Sequence, residues 1–131
     1  MKKETQKPTE AELEILQVLW KKGPATVREI NEQLSEKRDV GYTTTLKLMQ
    51  IMYSKNLLQR REEGRTHIYK AIIKESDIQK ELTDKFLETV FGGSAQKLVL
   101  QALGSNKPTS EELEEIKQLL NKLENKNAGY K

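Results

Sequence analysis

Between Gly41 and Ala71 the chain concentrates side chains that could bind a polar, charged ligand. Tyr42, Thr43, Thr44, Lys47 and Gln50 bring a phenol, two hydroxyls, an ammonium and a carboxamide into one short segment. Such groups read base edges or hold phosphates. Arg28 lies upstream, and Arg60, Arg61 and Arg65 flank Gly64 downstream. Groups for bond chemistry are scarce. There is no cysteine and a single histidine, His67, which rules out thiolate catalysis, cysteine-ligated metals and a histidine cluster. No Gly-rich phosphate loop, paired-carboxylate site or nucleophile with its base stands at a recognisable spacing. The sequence therefore predicts a non-enzyme with no cofactor and no metal site.

Positioning these groups requires a helix and a hairpin. Thr45, Leu48, Met49 and Met52 follow helical spacing and should face a core. The opposite stripe is then Thr43, Leu46, Lys47 and Gln50, with Tyr42 at the entrance and a threonine cap at Thr43 or Thr44. Asn56 is placed for a left-handed helix stop. Leu57 to Glu62 and Arg65 to Ile72 read as two strands, with Gly64 supplying the positive φ of the turn. In the strands Leu58 alternates with Gln59 and Arg61, and Ile68 with His67 and Tyr69. Arg60, Arg61 and Arg65 are expected near the hairpin tip, and His67 as a half-buried strand residue.

Two helices should precede this unit. Thr9-Glu10-Ala11-Glu12 and Thr26-Val27-Arg28-Glu29 are both capping boxes. The first opens a helix to about Trp20, with Leu13, Leu16 and Trp20 on one stripe and Ile15 and Leu19 beside it. Gly23-Pro24 stop it, and Pro24-Ala25 could form a very short strand. The second opens a helix with Val27, Ile30 and Leu34 inward and Arg28 on its outer face. Two short helices joined by a polar turn make a helix-turn-helix.

The chain changes character at Lys74. Ser76 could cap a helix carrying Ile78, Leu82, Phe86, Leu87, Val90 and Phe91, ending at Gly92-Gly93. Ser94 caps a second helix with Ala95, Leu98, Val99 and Ala102, ending at Gly104. Thr109 to Glu112 is a third capping box, before a stripe of Leu113, Ile116, Leu119, Leu120 and Leu123; fraying is expected from Asn125. Three helices cannot bury such faces alone. Phe86, Leu87, Val90, Phe91, Leu98, Val99, Ile116, Leu119, Leu120 and Leu123 are therefore expected to form a homodimer interface. The domains are read as 1–73 and 74–131.

Hydrophobic residues make up 35% of the 131 residues and charged residues 33%, so any core is small. The net charge is +3, but residues 37–70 hold eight basic side chains against three acidic. A local basic surface is the footprint of phosphate contacts. The N-terminal segment lacks the apolar core of a signal peptide, and no run is long enough for a bilayer. A cytoplasmic protein without a membrane partner is expected.

The arrangement resembles the penicillinase-repressor (BlaI/MecI/CopY) family of bacterial transcriptional regulators. The resemblance rests on Thr9-Glu10-Ala11-Glu12 with Trp20, Tyr42-Thr43-Thr44-Thr45, Gly64-Arg65 with Tyr69, Phe86-Leu87, and Gly93-Ser94 before Leu98-Val99-Leu100. It implies a mainly α fold with a small β-hairpin: an N-terminal winged helix-turn-helix and a C-terminal helical dimerisation domain. It also implies a homodimer that represses transcription on a palindromic operator in double-stranded DNA. By resemblance, Thr43, Thr44, Lys47 and Gln50 face the groove and Arg65 lies on the wing.

Three departures from the family pattern stand out. Ile51 occupies a position where members often carry arginine. Gln101-Ala102 replaces the Asn-Phe bond cleaved in the β-lactam-responsive members, which argues against induction by that cleavage. The Cys-x-Cys ligands of copper-responsive members are absent. Whether a sensor protease acts upstream stays open. The alternative is a winged-helix protein-interaction module, suggested by Leu46 and Ile51 on a helix face otherwise polar. DNA-facing residues on the first reading are Arg28, Tyr42, Thr43, Thr44, Lys47, Gln50, Arg60 and Arg65.

Overall fold

The computed structural model describes residues 7–128. Residues 1–6, read above for a signal peptide, lie outside the described part, as do residues 129–131 of the tail. The order of elements is α1 (Glu10–Lys22), α2 (Val27–Ser35), α3 (Tyr42–Ser54), β1 (Leu58–Glu63), β2 (Thr66–Ala71), α4 (Glu75–Phe91), α5 (Ala95–Ser105) and α6 (Ser110–Ala128). Two compact units divide inside α4, after Glu81. The sequence reading puts the boundary after Ile73 instead.

In the first unit, helix entry follows the local chemistry. Thr9 Oγ1 accepts from the Glu12 backbone N–H at 3.2 Å, and Glu12 Oε1 accepts from Thr9 N–H at 2.8 Å. Thr26 and Glu29 repeat the exchange at 3.1 and 2.9 Å. Each box satisfies two N–H groups that a helix start leaves without partners. The core these helices enclose contains Ile15, Leu16, Leu19, Val27, Ile30, Leu34, Met49, Met52, Leu57, Leu58 and Tyr69. Trp20 packs against it and its indole N–H donates to the Ile73 carbonyl at 2.9 Å, a structural role.

β1 and β2 form an antiparallel pair in which Arg60 faces Tyr69 and Glu62 faces His67. Gly64 and Arg65 form the connecting loop, with positive φ only at Gly64, the pattern of a type II′ turn. Ala25 exchanges backbone hydrogen bonds with Tyr69 at 2.9 and 2.8 Å, so the short strand expected at Pro24-Ala25 is a single bridge. Asn56 takes the left-handed conformation (φ 64°) expected after α3.

Several local expectations are corrected. The cap of α3 is Gly41, with no side-chain cap bond, so the helix starts at Tyr42 rather than after a threonine. The Thr45 hydroxyl is drawn inward, 3.4 Å from the Gly41 carbonyl, and is fully buried. Leu46 is half-buried against the core rather than outward. In β2 the residue that fills the core is Tyr69, while Ile68 is half-buried. Helix α4 begins at Glu75, ahead of the Ser76 cap, α5 runs through Gly104 to Ser105, and α6 continues past Asn125 to Ala128.

In the second unit Ser94 caps α5 by accepting from Lys97 N–H at 3.2 Å, and Thr109 with Glu112 forms the third box. Many of its apolar side chains stay uncovered. Phe86, Val90, Leu119, Leu120 and Leu123 are each at least half exposed.

Among the described residues, one ion pair is buried. Lys55 Nζ lies 2.7 Å from Glu12 Oε1, and Glu12 is 2% exposed. Burial pushes the Glu12 carboxyl up, but the Lys55 hydrogen bond and the Thr9 N–H together hold it below the ordinary glutamate value. Removing one partner of a buried pair leaves an uncompensated charge and costs about 3 kcal/mol. Lys55→Met should lower unfolding free energy by about that amount in urea titration. Because the folded carboxyl titrates lower than the unfolded one, the pair's contribution is complete above the ordinary glutamate value. It is lost as pH falls through the lowered value. Glu12→Gln should accordingly flatten the acid limb of the stability curve.

Candidate nucleic-acid interface

Helix α3 carries two different sides. Thr45, Met49 and Met52 are 0% exposed, whereas Thr43, Thr44, Lys47 and Gln50 are all exposed. The rotation that separates them is held by Asn31 on α2. Its Nδ2 donates to the Val40 carbonyl at 2.8 Å and to Thr45 Oγ1 at 2.9 Å. Both amide hydrogens are thus used to tie the turn and the start of α3 to α2. At the far end, the Glu12–Lys55 pair fastens α3 to α1.

The polar face continues into a concavity of about 480 Å³. It is lined by Thr26, Val27 and Arg28 at the start of α2, Tyr42 and Leu46 on α3, and Arg65 to His67 with Tyr69 on the hairpin. Three of the expected DNA-facing residues, Arg28, Tyr42 and Arg65, therefore come together there. Glu29, the acidic neighbour of Arg28, is turned to its own helix start. The Thr26 backbone N–H, opposed by burial and helped by the Thr26 hydroxyl and Lys22, holds its carboxyl below the ordinary range. Lys22 lies 3.7 Å from it.

Arg60 is not part of this concavity and is not at the hairpin tip. It stands in the middle of β1, facing Tyr69 in the register, with its guanidinium 4.0 Å above the ring of Tyr53. A cation–π contact of this kind at an exposed site stabilises by about 0.5–1 kcal/mol. Arg60 instead lines a second, smaller basic recess of about 180 Å³ with Gln59, Arg61, Ile68 and Lys70. Arg61 is 3.0 Å from Glu63 in an exposed pair, worth about 0–1 kcal/mol.

Thr66 and His67 were not singled out from sequence as parts of this surface. Strand alternation puts His67 on the same face as Tyr69, but that Tyr69 is the buried member follows only from its bridge to Ala25. Among the described residues, no three His, Cys, Asp or Glu side chains group to hold a metal, and no helix is long and apolar enough to cross a membrane.

Three helices followed by a two-stranded hairpin, with α3 bare on one side and arginines beside it, define a winged helix-turn-helix. Residues 8–122 match the penicillinase repressor family, and the chain belongs to it. It is 28% identical over 122 residues to the methicillin resistance regulatory protein MecI of Mammaliicoccus sciuri, covering 93% of this chain and 99% of that one. The penicillinase repressor of Bacillus licheniformis is 28% identical over 118 residues, covering 90% and 92%. Among solved structures, monomeric Bacillus licheniformis BlaI in complex with the blaP half-operator is similar with a TM-score of 0.50. Identity there is 29%, over 58% of this chain and 93% of that chain.

If Asn31 sets the rotation of α3, Asn31→Ala should destabilise the first unit by about 1–3 kcal/mol. Hydrogen exchange should accelerate at amides from Val40 to Thr45 before it does in α1. Uniform protection across α3 in that variant would show that the apolar contacts alone hold the helix.

Proposed function

We infer that this protein is a sequence-specific DNA-binding transcriptional repressor that acts as a homodimer on a palindromic operator. The observation that carries the reading is the division of α3 into a fully buried stripe and an exposed polar one. An exposed face built from Thr43, Thr44, Lys47 and Gln50 offers donors and acceptors of the kinds that read base edges. Arg28 and Arg65, on elements either side of the helix start, are suited to phosphates of the groove walls. BlaI, a relative of similar fold, is bound to a half-operator in its own structure. Acting on DNA would place the protein in the cytoplasm.

The homodimer is supported by the second unit. Phe86, Val90, Val99, Leu119, Leu120 and Leu123 are all between 48% and 56% exposed in the single chain. Leu87, Phe91, Leu98 and Ile116 are half-buried beside them. Leu82, Phe86, Val90 and Leu98 line an apolar groove of about 510 Å³, and Phe86 meets Phe91 edge to face at 5.7 Å. Covering about six such side chains contributes on the order of 10 kcal/mol before entropic costs, enough to hold a dimer. We assign residues 74–131 to dimerisation and 1–73 to DNA.

A winged-helix protein-interaction module is favoured by one observation, the 41% exposure of Ile51 within the polar face. Capture of a protein partner through α3 that duplex DNA does not compete would support it.

Lys47→Ala and Arg65→Ala should each weaken operator binding, with the salt slope of log affinity reduced by about one per lost phosphate contact. Fluorescence anisotropy across a salt series reads both effects, and unchanged affinity would remove these residues from the interface. Phe86→Glu should give monomers by sedimentation and lose tight operator binding at the same time. Dimers that persist would assign the apolar stripe to another purpose.

A further inference from the structure

We propose that His67 is a DNA-phosphate contact whose grip depends on its protonation, the switchable member of the cationic concavity between α2, α3 and the hairpin. The proposal rests on the DNA-binding reading above and adds a residue and a pH dependence to it.

His67 lines the concavity together with Arg28, Tyr42 and Arg65. Its side chain is 37% exposed, so a ligand entering from solvent can reach it. Its ring is also held in place. It stands edge-on to Tyr69, with centroids 6.2 Å apart and an angle of 86°. Tyr69 is 1% exposed and bound to Ala25 through both backbone groups. An imidazole on so firm a base needs little ordering when it meets an anion.

The groups around it decide what that anion should be. Arg28 faces the concavity from α2, Tyr42 from α3, Arg65 from the turn and Tyr69 from β2. Glu62, its cross-strand partner on β1, places Oε1 3.5 Å from His67 Nε2. That carboxylate is 80% exposed and can be displaced into solvent at little cost.

Arginine stays charged at every working pH, and tyrosine stays neutral well above neutrality. Imidazole, alone among these groups, changes charge between about pH 5 and 8. A phosphate beside it favours the imidazolium, so DNA binding takes up a proton. Affinity is then higher at acid pH and declines as pH rises. A neighbouring opposite charge displaces a titration by one unit or more, which corresponds to about tenfold in affinity per protomer.

The test uses the full chain and a duplex that the wild-type protein enriches from a random library. Dissociation constants are measured at fixed ionic strength at about pH 6, 7 and 8, the range in which imidazole titrates. Wild type should weaken about tenfold across that range. His67→Gln should bind at every pH as weakly as wild type does at the highest. His67→Lys, permanently charged, should bind tightly throughout, which a purely structural role would not produce. A pH profile of His67→Gln that parallels wild type would overturn the proposal, as would His67→Lys binding no better than His67→Gln. Failure of the wild type to enrich any duplex would instead overturn the DNA-binding reading itself.

Discussion

The hydrogen bond from Asn31 to Thr45 selects which side of α3 faces the core. Apolar character alone does not decide that orientation. Thr45, Met49 and Met52 form one possible buried stripe, and Thr44, Leu48 and Ile51, one position back, form another of similar character. Burying the Thr45 hydroxyl is offset by two hydrogen bonds, one donated to the Gly41 carbonyl at 3.4 Å and one accepted from a side-chain amide, each worth about 0.5–1.5 kcal/mol. Asn31 provides that amide at 2.9 Å. Three turns later the same stripe ends in Lys55, which meets the buried Glu12 at 2.7 Å. The apolar contacts are therefore bracketed by two polar ones, each demanding the same rotation.

Once that rotation is set, the outward face follows. Thr43, Thr44, Lys47 and Gln50 have nowhere to go but solvent, and Ile51 goes with them. The hairpin is positioned by a separate device. Tyr69 enters the core as a large buried side chain and its backbone is tied to Ala25, directly ahead of the α2 capping box. The start of α2 and the hairpin are thereby held next to each other, and the start of α3 completes the hollow they share. Arg28, Tyr42 and Arg65 are distant in sequence, yet these backbone constraints bring them to one place. The cationic hollow is thus a product of core packing more than of local charge.

Much of this was legible in the residues. The three capping boxes, the inward stripes of α2 and α3, the left-handed Asn56 and the turn at Gly64 all follow from local rules with few competitors, whereas the buried side of α1 is centred on Ile15, Leu16 and Leu19 with Leu13 and Trp20 half-buried at its edge. What escaped depends on partners remote in sequence. The cap of α3 is Gly41, two to three positions ahead of the threonines expected there, and Leu46 packs against the core instead of facing outward. Tyr69 was missed as a core residue because Ile68 is the more apolar neighbour. Only the bridge to Ala25 shows which face the strand buries. Arg60 was expected near the tip, whereas the register sets it in mid-strand and its guanidinium lies over the ring of Tyr53. Helix α6 outlasts its apolar stripe because nothing in Asn125 to Ala128 forbids helix.

The central claim is that the exposed stripe of α3 and the hollow beside it form the surface that meets DNA. Amide chemical shifts of the isotope-labelled full chain, followed as a duplex enriched by the protein is added, test this most directly. The largest changes should cluster at Tyr42 to Gln50, around Arg28 and from Arg65 to His67, with Met49 and Met52 following only weakly. Changes confined to α4 to α6, or spread evenly over the surface, would contradict the account.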